Sequence, residues 1–427
     1  MDKSLVNLVD MTEEVAIAIL ETPADKLADP YYRYIAASHL VNFPTEQSIA
    51  ALMAALENSE DSPENQAVRR KAAEILGRLQ AAPALTSLHS CLQGDDFYVV
   101  ENAVWAIGSI GTQNLDISED IAKLLDQPGQ SYRVIIRALA KLNYTAALSQ
   151  IRQFVDSEDE MIRSAAITTV CRFSGDYSEM SRVVNLLQSV NVNARRSSIQ
   201  DLIDAKYYQA IPLIARCPVS VVFRLRAVRM LANAGIPAGK IAFAEIEPIL
   251  DRIIGDRPDD LDLVYEYDQL PSLEFAINEL YETDGGRCYL ATKTLLESYT
   301  SEAPDALLAI YEKSAYKDGG AHYHVMKLLG WLKYAPAFDL LIEALHNQEP
   351  QFQKSRAAAA IALGEIGDQR AIAELKICLK TRLWDLKYGS LMALQKLGDS
   401  SGCEILAEDE DLLMQQKAAS LKAATRL

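Results

Sequence analysis

The chain has 427 residues, 49% of them apolar, with only 15 Pro and 19 Gly, and a formal net charge of −17. That length exceeds one ordinary globular core, so it requires about three compact domains or one elongated array of small units. The acidic balance excludes a general nucleic-acid binder, which needs basic surface against phosphate, and no apolar run approaches the ~20 residues of a membrane span.

At the N-terminus, MDKSLVNLVDMTEE lacks the basic and apolar regions of a secretory leader, so a cytoplasmic location is expected. The first patterned helix is YRYIAASHLVNF from Tyr32. VRRKAAEILGRL from Val68 and VVENAVWAIGSI from Val99 then superpose Gly77 on Gly108, a repeat of about 31 residues. Further copies follow as SYRVIIRALAKL from Ser131, IRSAAITTVCRF from Ile162, ARRSSIQDLIDA from Ala194 and FRLRAVRMLANA from Phe223. Between them lie second helices such as DISEDIAKLLD, each entered through a turn with Gly, Asp or Pro.

After IPAGKIAFAEIEPILDRII the repeat fails, and an acidic segment gathers Asp256, Asp259, Asp260, Asp262, Glu266 and Asp268 with Tyr265 and Tyr267. Such a run is ordinarily a solvated face. Its chemical reading is a set of carboxylates that hydrogen-bond ring N–H groups or deliver a proton, which requires burial. The repeat resumes with AHYHVMKLLGWL from Ala321, SRAAAAIALGEI from Ser355 and LKYGSLMALQKL from Leu386.

Helix pairs that bury their apolar faces only against neighbouring pairs predict an all-α fold, a HEAT-repeat α/α solenoid (superhelix) with a basic, aromatic-containing concave face. The expected organisation is one continuous solenoid, with N-terminal repeats over 1–250, an irregular acidic helical insert over 251–300 and C-terminal repeats over 301–427. Cys91, Cys171, Cys217, Cys288, Cys378 and Cys403 show no CxxC spacing and read as reduced, buried small hydrophobes.

Within VRxxAAxALGxIG the first Arg ties one repeat to the next. The variable positions fall at about 0°, 100°, 40° and 80° on the helix, so they share one face. Along the chain that stripe includes Trp105, Arg137, Arg172, Arg226, Arg229, Tyr323, His324, Lys327, Trp331 and Tyr388, with Trp384 opening the last copy. Basic groups with interspersed rings suit a ligand that is anionic, flat and conjugated. The plainer reading pairs each Arg with acidic groups of adjacent repeats. In AHYHV, His322 falls near 260°, in the slot of Arg69, so the two histidines cannot share a metal ion. His322 is expected to link repeats and His324 to touch the ligand.

YYRYIAASHLVNF, the VRxxAAxALGxIG repeats, RPDDLDLVYEYDQLPSLEFA, GRCYLA and KDGGAHYHVMKLLGWLKY together resemble the E/F-type phycobilin lyases, and within them the long single-chain phycoerythrin-directed members. The resemblance covers essentially the whole chain. It implies an enzyme of phycobilisome assembly that joins phycoerythrobilin, a linear tetrapyrrole, through a thioether to a cysteine of a phycoerythrin apo-subunit, the α-subunit favoured. The acceptor's thiol adds to the ethylidene carbon of ring A, so no cysteine of this chain need be a nucleophile. No metal or redox cofactor is expected, the bilin being substrate.

Substrate is then expected at Trp105, Arg137, Arg172, Tyr323, His324, Lys327, Trp331 and Tyr388, and the catalytic carboxylate is Asp259, Asp260 or Asp262. A related family activity also isomerises the bilin on attachment. The repeats alone equally allow a non-catalytic scaffold or chaperone for antenna subunits.

Overall fold

In the computed structural model, residues 11–424 are described; the first ten, read above for a leader, lie outside them. The described residues form helices and no strand, in the expected all-α order of paired helices. They divide into two compact units, the first ending at Met180 and the second beginning at Ser181. The boundaries expected at 250 and 300 both fall inside the second unit.

In the first unit the long helices Pro63–Arg78, Phe97–Ile110 and Tyr132–Lys141 alternate with the shorter Leu85–Ser90 and Leu115–Lys123. Asp96 starts Phe97–Ile110 by accepting the N–H groups of Tyr98 and Val99 at 3.0 and 3.2 Å. The recurrent glycine serves packing. A Cβ on Gly77 would lie 2.7 Å from Ala106 Cα, and one on Gly108 2.9 Å from Ala138 Cα. Successive long helices therefore touch backbone to backbone, which only glycine facing alanine permits.

The repeat arginine ties as expected. Arg33 Nε donates to the Leu20 carbonyl at 3.1 Å, Arg69 Nε to Leu56 at 2.9 Å and, in the second unit, Arg356 Nε to Leu345 at 2.9 Å. Each satisfies a carbonyl in the last turn of the preceding helix, where the helix dipole favours a cation.

The helix-to-helix turns add a device that Gly, Asp and Pro do not signal. Gln80, Asn143, Lys206 and Lys333 adopt left-handed φ of 50–53°. After each, the next N–H bonds a carbonyl five residues back: Ala81 to Leu76, Tyr144 to Leu139, Tyr207 to Leu202 and Tyr334 to Leu329, at 3.0–3.1 Å. That closure offsets the roughly 1 kcal/mol steric cost of a left-handed non-glycine residue.

In the second unit Val192–Asp204 and Val221–Gly235 continue the pattern, and Gly285–Ser298, Gly319–Trp331, Gln353–Ile366 and Trp384–Lys396 resume it after the acidic segment. The helix before the break, Phe243–Gly255, packs against Gln353–Ile366, Trp384–Lys396 and the last helix, Leu412–Ala424. Lys417 Nζ donates to Glu247 Oε1 at 2.9 Å and Asp251 Oδ2 at 2.7 Å, and Tyr388 OH donates to Asp251 Oδ1 at 2.7 Å. The last helix thus returns to the repeat break and closes the unit on itself.

Candidate functional site

That closure produces a buried polar cluster with an open cleft beside it. Asp256, with φ 54°, ends the helix Phe243–Gly255 and turns its carboxylate into the interior, where it is 1% exposed. The carboxylate accepts from Arg224 Nη2, from Tyr323 OH, and from Tyr289 OH at 2.8 and 3.0 Å. Arg224, equally buried, also donates to the Val219 and Ala215 carbonyls at 3.1 and 3.2 Å. Lys327 Nζ donates to the Ile254 and Gly255 carbonyls at 2.8 and 2.9 Å, at the negative end of that helix.

Burial pushes the Asp256 carboxyl up, but the Arg224 and Lys327 charges and the hydrogen bonds outweigh it and hold it below the usual range. Burial lowers the Lys327 ammonium to about 8 against the opposing pull of Asp256. It also lowers His324 to about 3 and His322 to about 4, so both rings are neutral at pH 7. His322 packs on the rings of Tyr311 and Phe352, at 5.5 and 4.6 Å, consistent with a link between helices.

The cleft has a volume of about 1030 Å³. Tyr323 and Lys327 form one part of its wall, Arg226 and Arg229 another, and Lys354, Trp384, Asp385 and the stretch 405–411 complete it. The Arg229 guanidinium sits 4.2 Å from the Trp384 ring centre, and Tyr388 stacks on Trp384 at 4.8 Å. Arg229 Nη2 donates to Asp411 at 3.2 Å, whereas Arg229 Nε and Trp384 Nε1 are buried without a partner. Lys354 Nζ lies 4.9 Å from the Tyr323 ring centre, and no acceptor among the described residues bonds it. The Asp385 carboxylate takes the Leu386 N–H at 3.0 Å, and burial pushes its pKa up against the charges of Arg229 and Arg356.

Of the eight residues expected to hold substrate, Tyr323 and Lys327 reach this cleft. Tyr388 lies beneath Trp384 with its hydroxyl on Asp251. His324 is 6% exposed, with Nδ1 3.4 Å from Thr292 Oγ1, and Trp331 is 8% exposed. Trp105, Arg137 and Arg172 belong to the first unit. There Trp105 and Arg137 border a 70 Å³ cavity with Arg133 and Lys141, and Arg172 Nη2 donates to the Ala140 carbonyl at 3.4 Å.

The helical wheel puts Tyr323, His324, Lys327 and Trp331 on an open face. The structure buries the whole run Ala321–Trp331: the end of Phe243–Gly255 and the Asp256 turn meet Tyr323 and Lys327, and Tyr289 and Thr292 of Gly285–Ser298 meet His324.

Asp259 is exposed and pairs with Lys293 at 3.7 Å, Asp260 borders a cavity with Arg216 and Arg252, and Asp262 takes Arg216 Nε at 2.9 Å. None of these three lines the cleft. Of the six carboxylates gathered in the acidic segment, only Asp256 is buried. Asp385 and Lys354 carry no signal in the sequence beyond their place in the last copies, whereas Arg226 and Arg229 stand on the predicted stripe. Among the described residues no group of His, Cys, Asp or Glu gathers as a metal-binding set, and no helix is long and apolar enough to cross a membrane.

Residues 17–108 and 338–421 match the HEAT-repeat family. The chain is 58% identical to phycocyanin operon protein Y of Pseudanabaena tenuis, over 98% of this chain and 100% of that protein. It is 31% identical to the bilin biosynthesis protein CpeY of Synechococcus sp. strain WH8020, over 86% of this chain and 89% of the relative. A solved structure of the complex of CpcE and CpcF of phycocyanin lyase from Nostoc sp. PCC7120 superposes with a TM-score of 0.52 at 26% identity, covering 59% of this chain and 98% of that one.

Proposed function

This chain belongs to the HEAT-repeat phycobilin lyases of the E/F type, and from that premise we propose that it attaches phycoerythrobilin through a thioether to a cysteine of the phycoerythrin α-subunit, in the cytoplasm. The observation that supports this reading most is the cleft of the second unit. Pockets of roughly 300–1,000 Å³ hold drug-sized ligands, and a cleft of about 1030 Å³ admits an extended tetrapyrrole. Its chemistry suits the two parts of such a ligand. Arg229, Lys327 and Lys354 meet propionates, while Trp384 and Tyr323 offer ring surface to the conjugated system.

The acceptor supplies the nucleophile in this scheme. The chain's own cysteines are all buried, and burial pushes the Cys217 and Cys288 thiols up to about 12, which leaves them without thiolate at neutral pH. The reaction is an addition that needs no metal or redox cofactor. The protein's part is to hold the bilin, position ring A and manage a proton.

Coexpression with phycoerythrobilin-forming enzymes and apo-phycoerythrin α-subunit tests the proposal. A fluorescent adduct on one cysteine, located by mass spectrometry and carrying the absorbance of phycoerythrobilin, is the expected product. An adduct with an isomerised bilin's absorbance would instead establish a lyase-isomerase. A stable complex with no faster attachment would leave only the scaffold.

A further inference from the structure

We infer that Asp385 is the acid of the cleft, passing a proton to the ring system of a bound linear tetrapyrrole, while Trp384 donates its indole N–H to the same ligand. The inference rests on the lyase reading and assigns within it a group that neither the repeat pattern nor the acidic segment points to.

Trp384 and Asp385 are adjacent at the start of the helix Trp384–Lys396, and both line the cleft. Trp384 is 8% exposed, yet its Nε1–H has no acceptor. A buried donor left unmatched is costly, and one on the wall of a cavity is matched when a ligand brings an acceptor. The end-ring carbonyls and the propionates of a tetrapyrrole are such acceptors.

Asp385 is the carboxylate beside that donor, and no lysine or arginine among the described residues forms an ion pair with it. The charges that act on it come from two helices, Arg229 on Val221–Gly235 and Arg356 on Gln353–Ile366. Both have other duties. Arg229 donates to Asp411 at 3.2 Å and Arg356 Nε donates to the Leu345 carbonyl at 2.9 Å. Lys387, on the same helix as Asp385, is engaged by Asp409.

Of the other carboxylates lining the cleft, Asp409 pairs with Lys387, Asp411 takes Arg229 Nη2, and Glu408 and Glu410 are exposed. Asp256, behind Tyr323, is fully occupied by Arg224, Tyr289 and Tyr323 and stays ionised. Asp385 can therefore carry a proton where Asp256 cannot, and burial favours its protonated form.

The step balances without a further reactant. The Asp385 proton passes to a ring nitrogen, which makes the conjugated system cationic and the ethylidene carbon of ring A electrophilic. The acceptor's thiolate then forms the C–S bond, and the proton released when that thiol ionised returns to Asp385. The proton on the ring nitrogen then moves to the ring-A carbon next to the new C–S bond, so the net change is addition of S–H across the ethylidene carbon–carbon double bond.

The test uses the full chain with phycoerythrobilin as ligand and apo-phycoerythrin α-subunit as acceptor. Absorbance of the bound bilin is followed from pH 5 to 9, beside bilin affinity and the initial rate of attachment. Asp385→Asn should lower the pH at which the bound bilin loses its proton by at least about one unit and slow attachment about 100-fold, with affinity changed less than about threefold. Asp385→Glu should recover part of both. Trp384→Phe should weaken binding several-fold without moving the protonation midpoint. A wild-type midpoint and rate in Asp385→Asn, with binding intact, overturns the assignment alone. Failure of the wild-type chain to bind the bilin at all overturns the lyase reading with it.

Discussion

Replacing Asp256 by Asn removes one charge from the interior of the second unit with almost no change in shape. In the native structure Asp256 and Arg224 are each 1% exposed and directly paired, and Tyr289 and Tyr323 donate to the same carboxylate. The amide keeps one acceptor oxygen but leaves the Arg224 guanidinium charged and uncompensated. Breaking a buried pair on one side costs about 3–5 kcal/mol, chiefly as the penalty of the stranded charge. In a domain of this size each kcal/mol moves the thermal midpoint by roughly 2–4 °C, so a fall of roughly 6–20 °C is expected.

The assay is urea and thermal unfolding of the full chain, with hydrogen exchange of residues 243–256 and 319–331 to assign the loss to the second unit. A double variant, Arg224→Met with Asp256→Asn, removes the stranded charge and should recover at least 1 kcal/mol over the single Asn variant. If Asp256→Asn stays within about 1 kcal/mol of wild type, or the double variant is as unstable as the two singles summed, the cluster does not hold the unit together as argued.

Acid sensitivity should follow from the two buried histidines. The unfolded chain protonates each near 6.5, whereas folded His322 resists to about 4 and His324 to about 3, so stability is present above pH 6.5 and lost as pH falls toward 4. Each contributes about 1.4 kcal/mol per pH unit, and His322→Phe should remove about half of that slope in denaturation midpoints measured from pH 7 to 4.5; an undiminished slope contradicts the burial argument. Gly330→Ala places a Cβ 2.5 Å from Ala362 Cα and should cost about 1–3 kcal/mol by chemical denaturation. Gly111→Ala, with open space around it and φ 81°, should cost only about 1 kcal/mol of backbone strain, and equal losses would deny the close approach at Gly330. Lys354→Met should weaken bilin binding about tenfold in a fluorescence titration while leaving stability within about 0.5 kcal/mol, because the ammonium has no acceptor to lose; a destabilised variant with normal affinity refutes its place in the ligand's path.

Much of the fold is legible in the sequence because its rules are local. Apolar spacing places Ala103, Val104 and Ile107 inside the stack, and the slot of Arg33, Arg69 and Arg356 falls at the same point of their copies. The slot logic also separates His322 from His324 and dismisses a shared metal. Residue chemistry is legible in the same way, since Arg226, Arg229, Tyr323 and Lys327 all stand on one predicted stripe and all four border the cleft. The left-handed turns at Gln80, Asn143, Lys206 and Lys333 are not, because a Schellman closure constrains backbone hydrogen bonds more than side-chain identity.

A 3.6-residue period is written within a dozen neighbouring residues, and it suffices to specify a stack of helix pairs and the apolar side of each long helix. What covers the other side is set in three dimensions. Phe243–Gly255 meets Trp384–Lys396 and Leu412–Ala424 through partners as distant in the chain as Asp251 and Lys417, while Asp256 at its end turns inward onto Arg224, Tyr289 and Tyr323, and Arg229, Lys354, Trp384 and Asp385 are left around one opening. Periodicity gives the direction of a side chain but carries no term for a helix that arrives from well over a hundred residues away.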